Sequence, residues 1–173
     1  MADRSLYVCR PLKNGEEIHE WAALQGFKSA LPTDDLHVTI ALSREPFDWN
    51  KLAKQGGILR IEGGTRSIDK LGDAIVLRFE SPKLKQRWQQ IRDDGASWDY
   101  PNYKPHVTIS YKSAPSDLDG IEPYAGPLVF DAERFAEVDD SDPDNDIAET
   151  KLSESLSVKQ AVKLVASRRR RTG

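Results

Sequence analysis

The sequence predicts an α+β fold in which duplicated strand–helix–strand lobes carry two antiparallel sheets around a central cleft. The first observation behind this prediction is a repeated tetrapeptide, HVTI, at residues 37–40 and again at residues 106–109. The second is spacing, because Gly26 and Gly95 each precede the histidine of one copy by 11 positions. The third is that an apolar strand pattern followed by a helical pattern precedes each glycine. We therefore expect one site built from two related halves.

The first lobe begins with a strand at residues 6–10, where Tyr7 lies on the opposite face from the aliphatic side chains. A half-buried tyrosine with a solvated hydroxyl and a tyrosine that stacks on a ligand both fit this pattern. The spacing then predicts a helix with Asn14 as its N-cap, running through Gln25 and burying Trp21. The strand at residues 36–42 presents His37 and Thr39 on one face and aliphatic side chains on the other.

The second lobe repeats this order. A continuous apolar strand at residues 74–79 precedes a helix that Ser81 caps, with Pro82 in its first turn. The loop before His106 carries Trp98, Tyr100 and Tyr103, which are candidates for stacking on a nucleobase. Between the lobes, strand patterns on both sides of a Gly-Gly pair predict a hairpin or bulge in an edge pair, at residues 58–61 and 65–68.

The last predicted strand covers residues 128–138, where Glu133 and Glu137 share one parity and line one face. Beyond it the composition becomes acidic, and the chain ends in a basic run at residues 168–171. We therefore predict a bilobal domain over residues 1–138, followed over residues 139–173 by an acidic linker and a basic C-terminal tail.

Composition limits the function classes. The 173 residues are 38% hydrophobic and carry a formal net charge of −3, so a general polyanion binder is disfavoured and any bound anion needs local positive charge. No long nucleic acid is expected as a partner. The single cysteine, Cys9, excludes an internal disulfide and fits a reducing cytoplasm. With no apolar run of membrane-spanning length and no signal-peptide pattern at the start, we expect a cytoplasmic protein without a membrane partner.

The chemistry follows from two His-x-Thr pairs, His37 with Thr39 and His106 with Thr108. One imidazole can remove a proton while the other supplies one, and the threonine hydroxyls can donate to a phosphoryl oxygen between them. A carboxylate at Asp34 or Asp35 could orient His37, although capping a turn is the commoner role. A zinc site needs three or four ligands, whereas each copy supplies one, so we expect no metal and no cofactor. A serine-hydrolase elbow of the form GxSxG is absent.

These paired motifs on duplicated lobes resemble the 2H phosphoesterase superfamily over roughly residues 4–138. More narrowly, the opening strand, the run from Asp35 to Ile40, and the segment 88–106 resemble the Acb1 family of phage anti-CBASS proteins. The resemblance implies a metal-independent phosphodiesterase that cuts 3′–5′ bonds of cyclic di- and trinucleotide second messengers. Because these messengers activate a bacterial anti-phage system, CBASS, their destruction lets a phage escape inside its host's cytoplasm.

The resemblance also implies roles for individual residues. His37 and His106 would be the acid–base pair, and Thr39 and Thr108 would hold the phosphate. Residues expected to contact the substrate are Tyr7, Trp98, Tyr100, Glu137 and Glu133. Two other functions remain open, namely hydrolysis of 2′,3′-cyclic phosphates at RNA ends and sequestration of cyclic nucleotides without cleavage. The sequence assigns neither the oligomeric state nor the acid and base roles of the two histidines.

Overall fold

The computed structural model describes residues 3–100, 102–111 and 118–139. It contains eight strands and two α-helices in the described residues, and short 3₁₀ turns lie between some of them. In chain order they are β1 (Arg4–Pro11), α1 (Gly15–Leu24), β2 (His37–Phe47), β3 (Leu59–Ile61), β4 (Arg66–Leu71), β5 (Ala74–Phe79), α2 (Pro82–Asp93), β6 (His106–Ser110), β7 (Leu128–Phe130) and β8 (Arg134–Ala136). The predicted tail lies outside the described residues from position 140 onward.

Six of the strands form one antiparallel sheet in the order β4-β5-β6-β2-β1-β8, and β3 pairs with β7 in a separate two-stranded sheet. The predicted α+β class with antiparallel sheets is confirmed. β2 pairs directly with β6, so the two motif strands are neighbours in a single sheet. The predicted hairpin between residues 58–61 and 65–68 is wrong, since β3 pairs with β7 while β4 pairs with β5.

The apolar core lies on the side of the sheet that carries both helices. Val38 and Val107 are fully buried and belong to one hydrophobic cluster with Ile18 of α1 and Ile91 of α2. Ser81 caps α2 as predicted, because its hydroxyl accepts a hydrogen bond from the backbone nitrogen of Leu84. Since the helices cover the valine side, the histidines and threonines of the motifs project from the opposite side of the sheet.

Asn14 precedes α1, but its side chain does not cap the helix. Its amide nitrogen donates to the carbonyl of Pro127 at 2.7 Å, and its amide oxygen accepts from the backbone nitrogen of Val129 at 3.1 Å. Asn14 therefore fastens the start of the helix to β7 instead of satisfying a free N–H of the helix. A tertiary partner has replaced the local one that the sequence predicted.

Both helices end in the same way. Gly26 and Gly95 follow their C-terminal turns with positive φ angles of 93° and 119°, conformations that favour glycine. In each lobe the residue after the glycine donates a backbone hydrogen bond five residues back, Phe27 to Ala22 at 3.0 Å and Ala96 to Ile91 at 3.2 Å. The two helices, whose terminal glycines lie at the same distance before the motif histidines, therefore also end with the same backbone geometry.

The strand registers repeat as well. The register between β1 and β2 skips Ile40, and the register between β5 and β6 skips Ile109, the matching residue of the second motif. A one-residue bulge therefore follows the threonine in both lobes. Because bulges re-aim the side chains beside them, the two motifs leave the sheet with the same local geometry.

Candidate active site

The two motifs meet at the centre of the six-stranded sheet. Val38 of β2 pairs with Val107 of β6 in antiparallel register. In this register His37 lies across from Thr108, and Thr39 lies across from His106. Because neighbouring residues of a strand point to opposite faces, all four side chains project from the face opposite the buried valines. The structure thus brings both His-x-Thr pairs together on one face of one sheet.

Each histidine is oriented by a backbone carbonyl two residues before it. His37 Nδ1 lies 2.8 Å from the carbonyl oxygen of Asp35, and His106 Nδ1 lies 3.0 Å from that of Lys104. A carbonyl oxygen can only accept, so Nδ1 must carry the hydrogen in both rings. Nε2 is then the nitrogen left for proton transfer at the site. For His37, the backbone of Asp35 takes the role that the sequence offered to its carboxylate.

Tyr7 of β1 reaches into the first motif. Its hydroxyl lies 2.9 Å from His37 Nε2 and 2.8 Å from Thr39 Oγ1, and its ring meets the His37 ring edge-on. Tyr7 is 9% exposed, so its ring is largely buried, and its contact with a substrate remains a prediction. When His37 is neutral, Tyr7 donates to Nε2; when His37 is protonated, Nε2 donates to Tyr7. The hydroxyl therefore suits both protonation states.

Tyr103 joins the two lobes at the site. It lies in the loop that leads into β6, and its hydroxyl donates to the backbone carbonyl of Thr39 at 2.6 Å. Burial raises the pKa of Tyr103, so the hydroxyl stays protonated and remains a donor at neutral pH. The sequence predicts Tyr103 as a base-stacking residue, because an aromatic side chain in a loop gives no indication of a distant backbone partner. The structure gives it the task of holding the other motif in place.

The aromatic loop side chains pack mainly on one another and on α2. The Tyr103 ring stacks on Trp88 at 5.6 Å between centroids, and Trp98 meets Trp88, Tyr100 and Tyr103 at steep angles. Tyr100 is 9% exposed, so its ring is part of this packing. Trp98 is partly exposed and donates from Nε1 to the Asn102 carbonyl at 3.1 Å. Of the predicted stacking residues, Trp98 keeps surface that a nucleobase can cover.

The C-terminal acidic residues differ from the prediction. The predicted strand at residues 128–138 is interrupted after Phe130, because β7 and β8 belong to different sheets. Glu133 lies in the bend between them, 4% exposed, and accepts hydrogen bonds of 2.8 Å from Arg87 Nε and Nη2. The prediction that Glu133 contacts a ligand is therefore corrected, since its carboxylate is consumed in a buried ion pair.

Glu137 has a different environment. It is exposed and follows directly after β8, the strand that pairs with β1 beside Tyr7. Its contact with a substrate remains a prediction.

Within the described ranges, no group of three His, Cys, Asp or Glu side chains is placed to hold one metal ion. No helix in the part of the chain that the structure describes is long and apolar enough to cross a bilayer.

Comparison with known sequences places these motifs in a family. The model of the family described as anti-CBASS protein Acb1 matches residues 4–145. A relative with that description from Caulobacter sp. (strain RHG1) is 48% identical over 144 residues, which cover 79% of this chain and 23% of the relative. One from Escherichia phage RB16 is 30% identical over 124 residues, covering 70% of this chain and 72% of the relative. The match therefore spans less than a quarter of the Caulobacter relative's length.

Solved structures give the fold. A crystal structure described as a phosphoesterase superposes with a TM-score of 0.54 at 15% identity, covering 77% of this chain and 87% of that one. The structure of E. coli LigT complexed with 3′-AMP superposes with a TM-score of 0.51 at 12% identity, covering 80% and 97%. At these identities the likeness concerns the fold alone.

Proposed function

Because the chain belongs to the Acb1 family of anti-CBASS proteins, we propose that it is a metal-independent phosphodiesterase acting on cyclic di- and trinucleotide second messengers. The bonds cut are 3′–5′ phosphodiesters, and the products are linear. Cleavage in the cytoplasm of an infected bacterium removes the signal that activates CBASS and so protects a phage.

One observation carries this proposal. His37 and His106 lie on one sheet face, each with Nδ1 tied to a backbone carbonyl and Nε2 left for proton transfer. The Nδ1 hydrogen bonds also stabilise the imidazolium form, so each ring can serve as base in one step and acid in the next. The hydroxyls of Thr39 and Thr108 lie between them as donors to the phosphoryl oxygens, where negative charge grows.

The reaction proceeds in two steps. Nε2 of one histidine takes the proton of the ribose 2′-hydroxyl, whose oxygen attacks phosphorus. The bond from phosphorus to the 5′-oxygen breaks, and Nε2–H of the other histidine protonates that oxygen. The ring is then open and ends in a 2′,3′-cyclic phosphate. In the second step the histidines exchange roles, water attacks phosphorus, and the 2′-oxygen leaves as a hydroxyl, so the linear product bears a 3′-phosphate.

The test is incubation with 3′,3′-cyclic GMP–AMP in excess EDTA, with products resolved by chromatography and mass. We expect the wild type to give a linear dinucleotide with a 3′-phosphate. His37→Ala and His106→Ala should each lower kcat by about 10²–10⁴-fold, the usual contribution of a general acid or base. His19→Ala is the matched control because His19 is exposed on α1, and its kcat should equal that of the wild type.

Other outcomes separate the alternatives. Tight binding of the intact ring without cleavage would replace the enzyme with a sequestering protein. Turnover of 2′,3′-cyclic phosphates at RNA ends, with cyclic dinucleotides untouched, would keep the two-histidine chemistry and change the substrate. Undiminished turnover by His37→Ala would refute the mechanism itself.

A further inference from the structure

The two halves of the site differ in the residue that pairs with the motif histidine. In the β5–β6 pair, Arg78 lies directly across from His106. In the matching β1–β2 pair, the residue across from His37 is Pro11. On the face of the motif histidines, the second lobe therefore carries a cation beside His106 where the first lobe carries a proline. A chain with a net charge of −3 needs such a local cation to meet an anionic ligand.

Arg78 shares the face of the catalytic pairs. Side chains directly opposite in an antiparallel pair project from the same face, with Cβ atoms about 4.5–5.5 Å apart. The Arg78 side chain is 34% exposed, and its Nη1 donates to Asp69 Oδ2 at 2.9 Å. Its Nε and second amino group have no acceptor among the described residues, so these N–H donors remain for a ligand.

Asp69 also fixes where the guanidinium lies. It belongs to β4, which is separated from β6 by the width of β5, and neighbouring strands lie about 4.8 Å apart. The ion pair therefore draws the guanidinium outward from His106, away from the centre line between β2 and β6 where Thr39 and Thr108 converge. A cation held there is placed for an anion other than the phosphate being cleaved.

On the premise of the substrate proposed above, we propose that Arg78 binds the second, uncleaved phosphate of a cyclic oligonucleotide. A cyclic dinucleotide carries two phosphodiesters, and when one sits between the histidines the other must lie elsewhere on the ring. The planar guanidinium matches a phosphate with two parallel N–H donors, and such charge-assisted bonds are among the stronger ones in proteins. Arg78 is thus a specificity-determining residue that favours substrates with more than one phosphate.

The test compares Arg78→Gln with the wild type on 3′,3′-cyclic GMP–AMP. We expect KM to rise about tenfold with kcat within about twofold of the wild type, because the contact is the same in the ground and transition states. Arg78→Lys should recover part of the affinity, since a lysine keeps the charge and loses the paired donors. A fall in kcat at unchanged KM would overturn the assignment and place Arg78 on the cleaved phosphate. No change in either constant would overturn it too.

Two matched variants separate ligand binding from structure. Asp69→Asn weakens the ion pair that positions the guanidinium but keeps the Arg78 cation, so its rise in KM should be smaller than that of Arg78→Gln; a rise equal to that of Arg78→Gln would show a structural effect and overturn the proposal. Arg60→Gln removes an arginine of another exposed ion pair, the one between Arg60 of β3 and Glu62, and should leave KM unchanged.

Calorimetric binding of the intact ring to wild type and Arg78→Gln completes the design. If the wild type does not cleave the ring but binds it about tenfold more tightly than Arg78→Gln does, the phosphodiesterase activity is refuted and the contact between Arg78 and a phosphate is supported. Normal turnover with equal binding by both proteins would refute the contact alone.

Discussion

Replacing Tyr7 with phenylalanine removes one oxygen atom from the centre of the site and leaves the buried ring in place. That oxygen lies 2.9 Å from His37 Nε2 and 2.8 Å from Thr39 Oγ1. The substitution therefore deletes two hydrogen bonds, through which Tyr7 links the proton-transfer nitrogen of His37 to the hydroxyl of Thr39. The bond from His37 Nδ1 to the Asp35 carbonyl is untouched.

The magnitude follows from these contacts. A hydrogen bond contributes about 0.5–1.5 kcal/mol net, so two bonds amount to about 1–3 kcal/mol. If this energy positions the histidine and threonine for the transition state, kcat falls by about 5–150-fold, at roughly 1.4 kcal/mol for each factor of ten. We expect a value near tenfold, because the Asp35 carbonyl still orients the imidazole. The loss in unfolding free energy should stay below about 1 kcal/mol, since both partners are only partly buried and water can replace the hydroxyl.

The assay measures kcat, KM and the pH profile of Tyr7→Phe on the cyclic dinucleotide, with urea unfolding as a check on the fold. Tyr124→Phe is the matched control. Its hydroxyl also meets two partners, Glu17 Oε2 at 2.8 Å and the Pro127 carbonyl at 3.1 Å, but its ring packs on Trp21 of α1. This control should leave kcat unchanged.

An unchanged kcat and pH profile in Tyr7→Phe would show that Tyr7 does not position His37 or Thr39 for the reaction. A rise in KM at constant kcat would also contradict this positioning role, because Tyr7 would then act only in holding the substrate.

Two further predictions concern stability. Glu133→Gln leaves the Arg87 cation buried without its counter-charge, so the free energy of unfolding in urea should fall by about 3–5 kcal/mol. The double variant Arg87→Met with Glu133→Leu should recover this loss, because it removes both charges. Loss of turnover by a well-folded Glu133→Gln protein would contradict the purely structural role. Raising the pH from 10 toward 12 should lower the unfolding free energy. Burial and the hydrogen bond to Glu17 raise the pKa of Tyr124 to about 12 in the folded protein, above its ordinary value of about 10. The stability that the protonated hydroxyl contributes is therefore complete below about pH 10 and is lost as the pH rises toward 12. Tyr124→Phe should flatten this slope, and Tyr103, whose pKa is also raised by burial, should supply the remainder; an equal slope in both proteins would contradict the role of Tyr124.

The features that the sequence predicted well are those that depend on neighbours along the chain. Gly26 and Gly95 end their helices because the positive φ angle needed there favours glycine, whatever the helices pack against. Ser81 caps α2 because its hydroxyl reaches a backbone nitrogen three residues away. The facing of His37 and Thr39 away from the core follows from alternation within one unbroken strand.

The sequence alone determined the duplicated motif, the α+β class and the local geometry of each lobe. Tertiary structure decided which strands are neighbours, since pairing joins residues far apart in the chain and many registers satisfy the same apolar pattern. That pairing put Arg78 beside His106 and the Tyr7 hydroxyl between His37 and Thr39. The alternation of side chains along one strand gave the wrong face for Glu133, because the chain bends between β7 and β8. After a bend, the side chains no longer continue the alternation of the preceding strand. The Glu133 carboxylate binds Arg87, a buried arginine of α2, and no local sequence pattern could predict this partner.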